Sequence, residues 1–168
     1  MNAAAPWTIR PLRHADLPLF RPLRLEALRT HPEQFGSSFE EEQDDDMARM
    51  IGDPPNLTLG GFAGGALVGT TAMIVSPKLK QRHKGHVVGV YVTASSRRTG
   101  LAGAMLERLI SEARNSGLIL LTLSVTLGNK PARTLYLNAG FVTYGVEPLS
   151  LRIGSNALDS ELMALKLV

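Results

Sequence analysis

The chain of 168 residues contains no cysteine. That excludes disulfide staples, thiolate nucleophiles and cysteine-ligated metal sites together, so no metal is expected. Aromatic residues are scarce, at 5% of the sequence, and no aromatic-interleaved basic stripe for nucleic acid can be traced. Long apolar runs are also missing. The stretch Leu118 to Leu127 is β-like and falls short of the ~18 residues that span a bilayer. The start, Met1-Asn2-Ala3-Ala4-Ala5-Pro6, lacks a charged region followed by an apolar one, so no secretory signal is read. Together these absences point to a cytoplasmic protein with no membrane partner.

What is present is ordinary for a globular chain: 44% hydrophobic residues and a net charge of +3. The length fits a single domain over residues 1–168 with one sizeable core. The basic residues are scattered. Their one local cluster, Lys78, Lys80, Arg82, His83 and Lys84, reads as a solvated loop, so no nucleic-acid partner is expected.

Alternation from Trp7 to Leu12 predicts a first strand. Asp16 as N-cap, Pro18 in the first turn and apolar residues from Leu17 to Leu28 predict a helix ending near Thr30. Ser38 followed by Glu41 has capping-box spacing. Two strands over Leu57 to Ala63 and Ala66 to Val75 meet at Gly64-Gly65, a hairpin signal. His86 to Thr93 is apolar on both faces, hence a central strand. The stripe Leu101, Met105, Leu106, Leu109, Ile110 and Ala113 predicts a helix. A fifth strand over Leu118 to Thr126 and a short helix over Pro131 to Ala139 follow, the latter closed by Gly140. Phe141 to Val146 and Glu161 to Val168 are terminal strands, with Glu147 to Asp159 read as irregular. The expected class is mixed α/β (α+β): a mostly antiparallel sheet of about seven strands holding one parallel pair, flanked by about four helices.

Chemistry begins at Ala94 to Gly103, where a strand feeds a helix through small residues. A helix start exposes N–H groups with no intrahelical acceptor, and the helix dipole favours an anion there. Gly100 and Gly103 carry no Cβ, so a pyrophosphate can reach the backbone. Arg97 and Arg98 add charge. The pattern is neither a P-loop nor a dinucleotide fingerprint. One strand later, Asn129, Ala132, Leu135, Tyr136, Gly140 and Phe141 place a phenol at helical spacing from an amide.

The two groups, Arg97-x-x-Gly100-x-Ala102 and Asn129-x-x-Ala132-x-x-Leu135-Tyr136-x-x-x-Gly140-Phe141, resemble the signature motifs of the GNAT N-acetyltransferase superfamily. The chain departs from that pattern at Ala94, where the family often has Pro, and at Arg98, where it often has Gly. The resemblance implies a GNAT fold whose parallel fourth and fifth strands splay apart, with acetyl-CoA as cosubstrate in the opening. The backbone of Val90 and Val92 would pair with the pantetheine arm. Arg97, Arg98, Thr99, Gly100, Leu101, Ala102 and Gly103 would hold the pyrophosphate, and Asn129 would bond the pantetheine side. Tyr136 would protonate the leaving thiolate, as a general acid does; its alternative is a core tyrosine facing Leu135 and Phe141. A backbone N–H of the fourth strand would stabilise the oxyanion.

The implied reaction is direct attack of a primary amine, in a small molecule or a protein, on the thioester. The fourth strand offers no carboxylate to deprotonate that amine, only His86 and Tyr91. His86 reads as a surface histidine far from the splay. Glu26 and Glu40 on the first two helices are further candidates, and the acidic run from Glu40 to Asp46 can attract a cationic amine. A non-catalytic acyl-CoA-binding module is the alternative to an enzyme. Exposed C-terminal strands are compatible with a homodimer.

Overall fold

The computed structural model describes residues 6–168. Of the segment read for a secretory signal, residues 1–5 lie outside them. Strand β1 (Thr8–Pro11) leads into helix α1 (Leu17–Thr30), and α2 (Phe39–Glu42) is a single turn. Strands β2 (Leu57–Ala63), β3 (Ala66–Val75) and β4 (Lys84–Val92) follow, then α3 (Leu101–Asn115), β5 (Leu120–Thr126), α4 (Lys130–Asn138), β6 (Val142–Ile153) and β7 (Asn156–Lys166). They form one seven-stranded sheet in the order β1-β2-β3-β4-β5-β7-β6. Among the described residues only β4 and β5 run parallel. This is the expected mixed architecture, with β4 central.

Two cores explain why helices cover both faces. All six stripe residues of α3 are buried. Leu106, Leu109 and Ile110 pack with Leu121, Leu123 and Met163 of the sheet. On the other face Phe20, Leu23 and Leu28 of α1 pack with Phe62 and Tyr91. Full burial of such a side chain is worth about 1.5–3 kcal/mol, so these contacts set the seat of each helix. The α2 capping box forms as its spacing predicts: Ser38 Oγ accepts from the Glu41 N–H, and the Glu41 carboxylate accepts from the Ser38 N–H.

Two expectations change. Asp16 occupies the N-cap position of α1 but makes no side-chain cap there. Its carboxylate instead accepts both Arg10 nitrogens at 2.7 and 2.8 Å and the Arg13 N–H at 2.8 Å. Arg10 thereby lowers the Asp16 pKa to about 2. A charge-assisted pair outcompetes a single cap bond.

The stretch from Glu147 to Asp159 is not irregular. It belongs to a long β6–β7 hairpin that turns between Ile153 and Asn156, with Gly154 in the left-handed region. Its alternation is broken by a bulge between Glu147 and Leu151, where Leu149 has φ 52°. Pro148, which has no N–H for the ladder, sits in that bulge. The Asp159 carboxylate takes the freed Leu149 N–H at 2.8 Å. Strand β6 forms the sheet edge and exposes Val142, Tyr144 and Val146.

Candidate active site

The pairing of β4 with β5 covers only Lys84↔Leu120, Gly85↔Leu121 and His86↔Thr122. Beyond it the strands diverge. The cause is a bulge in β4, where the β3 register shifts between Thr70 and Ala72 and Gly89 adopts φ 63°. A bulge bends its strand and raises the local twist. Thr70 Oγ1 donates to the Gly89 carbonyl at 3.0 Å and pins it. A Cβ at Gly89 would meet nothing within 4 Å, so the bulge borders open space.

The divergence leaves two recesses. One, of about 720 Å³, lies between the end of β4, the β5–α4 turn and the His31–Gln34 segment. The other, of about 580 Å³, lies between α1, α2, the β4 bulge and the β6–β7 hairpin. Gln34 and Thr126 border both, so the recesses meet at the splay. Just past the end of β4, the Thr93 N–H donates to the Val68 carbonyl of β3. Strand alternation therefore turns the polar backbone of Val92 and Val90 toward the missing β5 side.

Val90, Val92, Arg97, Ala102 and Asn129, five of the expected site residues, line the 720 Å³ cleft together. Both sequence motifs therefore meet in space. A Cβ on Gly103 of the first motif would lie 4.0 Å from Leu135 of the second. Arg98, Thr99 and Gly100 form the exposed loop next to it. Leu101 points its side chain into the core, at 1% exposure, and offers only its backbone. Among the described residues nothing accepts a hydrogen bond from the N–H groups of Arg98 to Gly103. With Gly100 at φ 85° and nothing within 4 Å of a Cβ there, this loop fits a polyanion held by backbone.

Arg98 has φ 61°, a left-handed conformation that penalises any residue with a Cβ. That is the physical content of the departure from Gly at this position. Arg98→Gly relieves about 1 kcal/mol of strain, which corresponds to a thermal midpoint about 2 °C higher. A melting curve checks this, and an unchanged midpoint would place a compensating contact on the arginine side chain.

Arg97 is built into the fold more than its motif suggests. Its Nε donates to the Val92 carbonyl at 3.1 Å, and its Nη2 donates to His31 Nε2 at 2.7 Å. A guanidinium only donates, so His31 Nε2 is the acceptor in this pair. The Arg97 guanidinium also lies 5.9 Å from the Tyr91 ring centroid. The Tyr91 hydroxyl in turn donates to Glu26 at 2.7 Å. Burial, then the Glu26 bond, raises the Tyr91 pKa. Glu26 is thus a partner of Tyr91 rather than a merely solvated carboxylate. Glu40 borders neither recess.

Asn129 caps α4, its Oδ1 accepting the Ala132 N–H at 3.2 Å. That bond leaves the amide nitrogen for the cleft. Asn129→Ala removes both functions and is expected to lower stability by about 1 kcal/mol. Asn129→Asp keeps the cap and loses only the amide donor. Chemical denaturation separates the two variants, while coenzyme affinity is expected to fall in both.

Tyr136 is the buried residue of α4, at 7% exposure. Its ring stands edge-on to Phe141 with centroids 6.1 Å apart. It borders neither recess. Desolvation pushes its pKa up to about 12. Arg133 of the same helix donates to Glu161 of β7 at 2.8 Å, which seats α4 against the sheet.

His86 is not remote from the splay. It occupies the last paired position, its Nδ1 2.9 Å from Thr122 Oγ1, and it borders the 580 Å³ recess. Desolvation lowers its pKa. Sequence reasoning misses this because it counts residues along β4 without knowing where the ladder ends. It also misses Arg24 and Glu147, and the bond that ties Glu42 of the acidic run to Arg24, which only the packing of α1, α2 and the hairpin brings about.

Comparison with known proteins follows the same lines. The model of the acetyltransferase (GNAT) family matches residues 23–141. No curated protein matches the chain. Solved structures share the fold. A GNAT-family acetyltransferase from Streptococcus pneumoniae superposes with a TM-score of 0.82 at 23% identity, over 95% of this chain and 98% of that one. A GCN5-related N-acetyltransferase from Kribbella flavida gives 0.82 at 20% identity, over 96% and 98%. The yncA protein from Salmonella typhimurium, whose structure holds its cofactor acetyl-CoA, gives 0.80 at 22% identity, over 96% and 94%.

Proposed function

The chain belongs to the GNAT acetyltransferase family, and on that premise we propose that it is an N-acetyltransferase, moving the acetyl group of acetyl-CoA directly to a primary amine. The observation that carries this reading is the run of N–H groups from Arg98 to Gly103, unpartnered among the described residues, beside the edge of β4 that β5 leaves open. That arrangement offers a pyrophosphate cradle and a strand edge in one cleft. Val90 and Val92 pair with the pantetheine amides, and the Asn129 amide adds a side-chain bond.

The amine approaches through the second recess, because the two recesses meet at the splay. Attack forms the C–N bond, and a backbone N–H at the β4 bulge meets the developing oxyanion. The C–S bond then breaks. Tyr136 supplies the proton that the thiolate takes, and a pKa near 12 keeps the phenol protonated for that role. The proton lost by the attacking amine passes toward His86, whose pKa desolvation lowers, favouring the neutral imidazole that can accept it. The enzyme works as one domain in the cytoplasm without a nucleic-acid or membrane partner. Among the described residues no helix is long and apolar enough to cross a membrane. The apolar edge of β6 supports a homodimer.

The deep burial of Tyr136 favours a second reading, an acyl-CoA-binding module without turnover. Calorimetric titration with acetyl-CoA, with free CoA alongside, tests the shared part of both readings, and saturable one-site binding is expected. Absence of binding by folded protein would sink both. Thiol release in the presence of amines then separates enzyme from module.

A further inference from the structure

The 580 Å³ recess has a charge layout that nothing in the acetyl-transfer reaction requires. On its α1–α2 side Arg24 donates through Nε and Nη2 to Glu42, both bonds at 2.8 Å. The pair is withdrawn from water, with side-chain exposures of 15% and 4%. The guanidinium also rests 5.1 Å from the Phe35 ring centroid, which fixes its plane. A buried ion pair of this kind is weak evidence for stability, because desolvation offsets its Coulomb energy. Its Nη1 has no hydrogen-bond partner among the described residues, and the atom is not sealed from the recess. Arg49, a second cation on the same side, pairs with Asp45 through Nη1, which leaves its other guanidinium nitrogens as donors, and it acts on Glu42 through space.

The hairpin side of the recess carries a carboxylate instead of guanidinium donors. Glu147, at the β6 bulge, is exposed there and forms no ion pair among the described residues. Between the two sides lie His86 and the Gly89 bulge. The recess therefore presents spare guanidinium donors on one side, a free carboxylate on the other, and the reacting strand between them.

We propose that the acceptor is a zwitterion of free amino-acid size, its carboxylate held by Arg24 and Arg49 and its amino group turned toward Glu147 and the β4 bulge. This inference rests on the N-acetyltransferase reading of the same site. Glu147 attracts the ammonium form. Loss of one proton to His86 leaves the neutral amine that attacks the thioester; as the C–N bond forms and the C–S bond breaks, the second nitrogen proton replaces the one that Tyr136 gives to the departing thiolate. A diamine would set its distal cation against Arg24 and Arg49. A peptide N-terminus has an amide where the carboxylate belongs and leaves the Arg24 donors unmatched. A site built to bond one polar group discriminates strongly against analogues that lack it.

The test is steady-state thiol release from acetyl-CoA with the twenty free amino acids, each beside its amide and its decarboxylated amine, with diamines and a short peptide as further acceptors. The expected result is at least one free amino acid whose kcat/KM exceeds that of its amide and amine by about tenfold to a hundredfold. Arg49→Gln is expected to raise the KM of that amino acid toward the value of its amide. Equal or better use of the amides, amines, diamines or peptide overturns the proposal. So does a protein that binds acetyl-CoA and acetylates no free amino acid. Failure to bind acetyl-CoA at all would be a different outcome, because it removes the N-acetyltransferase reading on which the proposal stands.

Discussion

Gly100→Glu is expected to abolish acetyl-CoA binding in a chain that still folds. Gly100 has φ 85° and no neighbour within 4 Å of a Cβ. A larger residue there strains the backbone by about 1–2 kcal/mol without clashing with the core. The added carboxylate lies among the N–H groups of Arg98 to Gly103, where the pyrophosphate is proposed to sit. Like charges at such a contact cost several kcal/mol, which corresponds to an affinity loss on the order of a thousandfold. Gly100→Ala is the control for strain alone and is expected to weaken binding far less. Calorimetry on both variants, with a melting curve to show folding, decides the matter. Retained affinity in a folded Gly100→Glu protein would move the phosphate site elsewhere.

The second large effect concerns Tyr136. Tyr136→Phe is expected to lower kcat by about a hundredfold, with little change in acetyl-CoA affinity, because the proposed role of the hydroxyl is to protonate the departing thiolate and not to hold the pantetheine or pyrophosphate. The deletion also removes a polar atom from a buried ring, so stability is expected to hold. The pH dependence carries an independent signature. The phenol pKa is raised from 10.0 to about 12 by burial. The folded state thus holds this proton more tightly than the unfolded chain does. Its contribution to stability is complete below pH 10 and is lost as the pH rises toward 12. The wild-type protein should therefore lose more stability than Tyr136→Phe across that interval. Equal turnover of the two proteins over a broad pH range would make Tyr136 a core residue only.

Much of this architecture is legible in the chain itself, because its determinants are local. The α3 stripe from Leu101 to Ala113 has helical period, and every member is buried. The Gly64-Gly65 pair supplies the left-handed residues of the β2–β3 turn, with φ 56° and 83°. Ser38 and Glu41 cap α2 at the spacing they show. Arg97-x-x-Gly100-x-Ala102 and the Asn129 to Phe141 group announce the cofactor cleft because backbone N–H exposure and helix capping are properties of short segments.

What only the tertiary structure decides depends on contacts far apart in sequence. The opening between β4 and β5 follows from one bulge at Gly89 and from where pairing stops at His86↔Thr122. No periodicity marks either. The β6–β7 hairpin escapes a pattern reading because the bulge around Pro148 and Leu149 interrupts its alternation. Arg97 meets His31 across 66 positions, and Tyr91 meets Glu26 across 65. The acceptor recess is assembled from α1, α2, β4 and the hairpin, and its charge layout arises only when Arg24, Glu42 and Glu147 are folded around one space. The sequence by itself thus determined the helix faces, the turns and the cofactor-binding segments, since each is governed by residues within a few turns of chain. Folding decided the splay, the pairing of side chains and the shape of the acceptor site, since those depend on strand register and on helices closing over opposite faces of a twisted sheet.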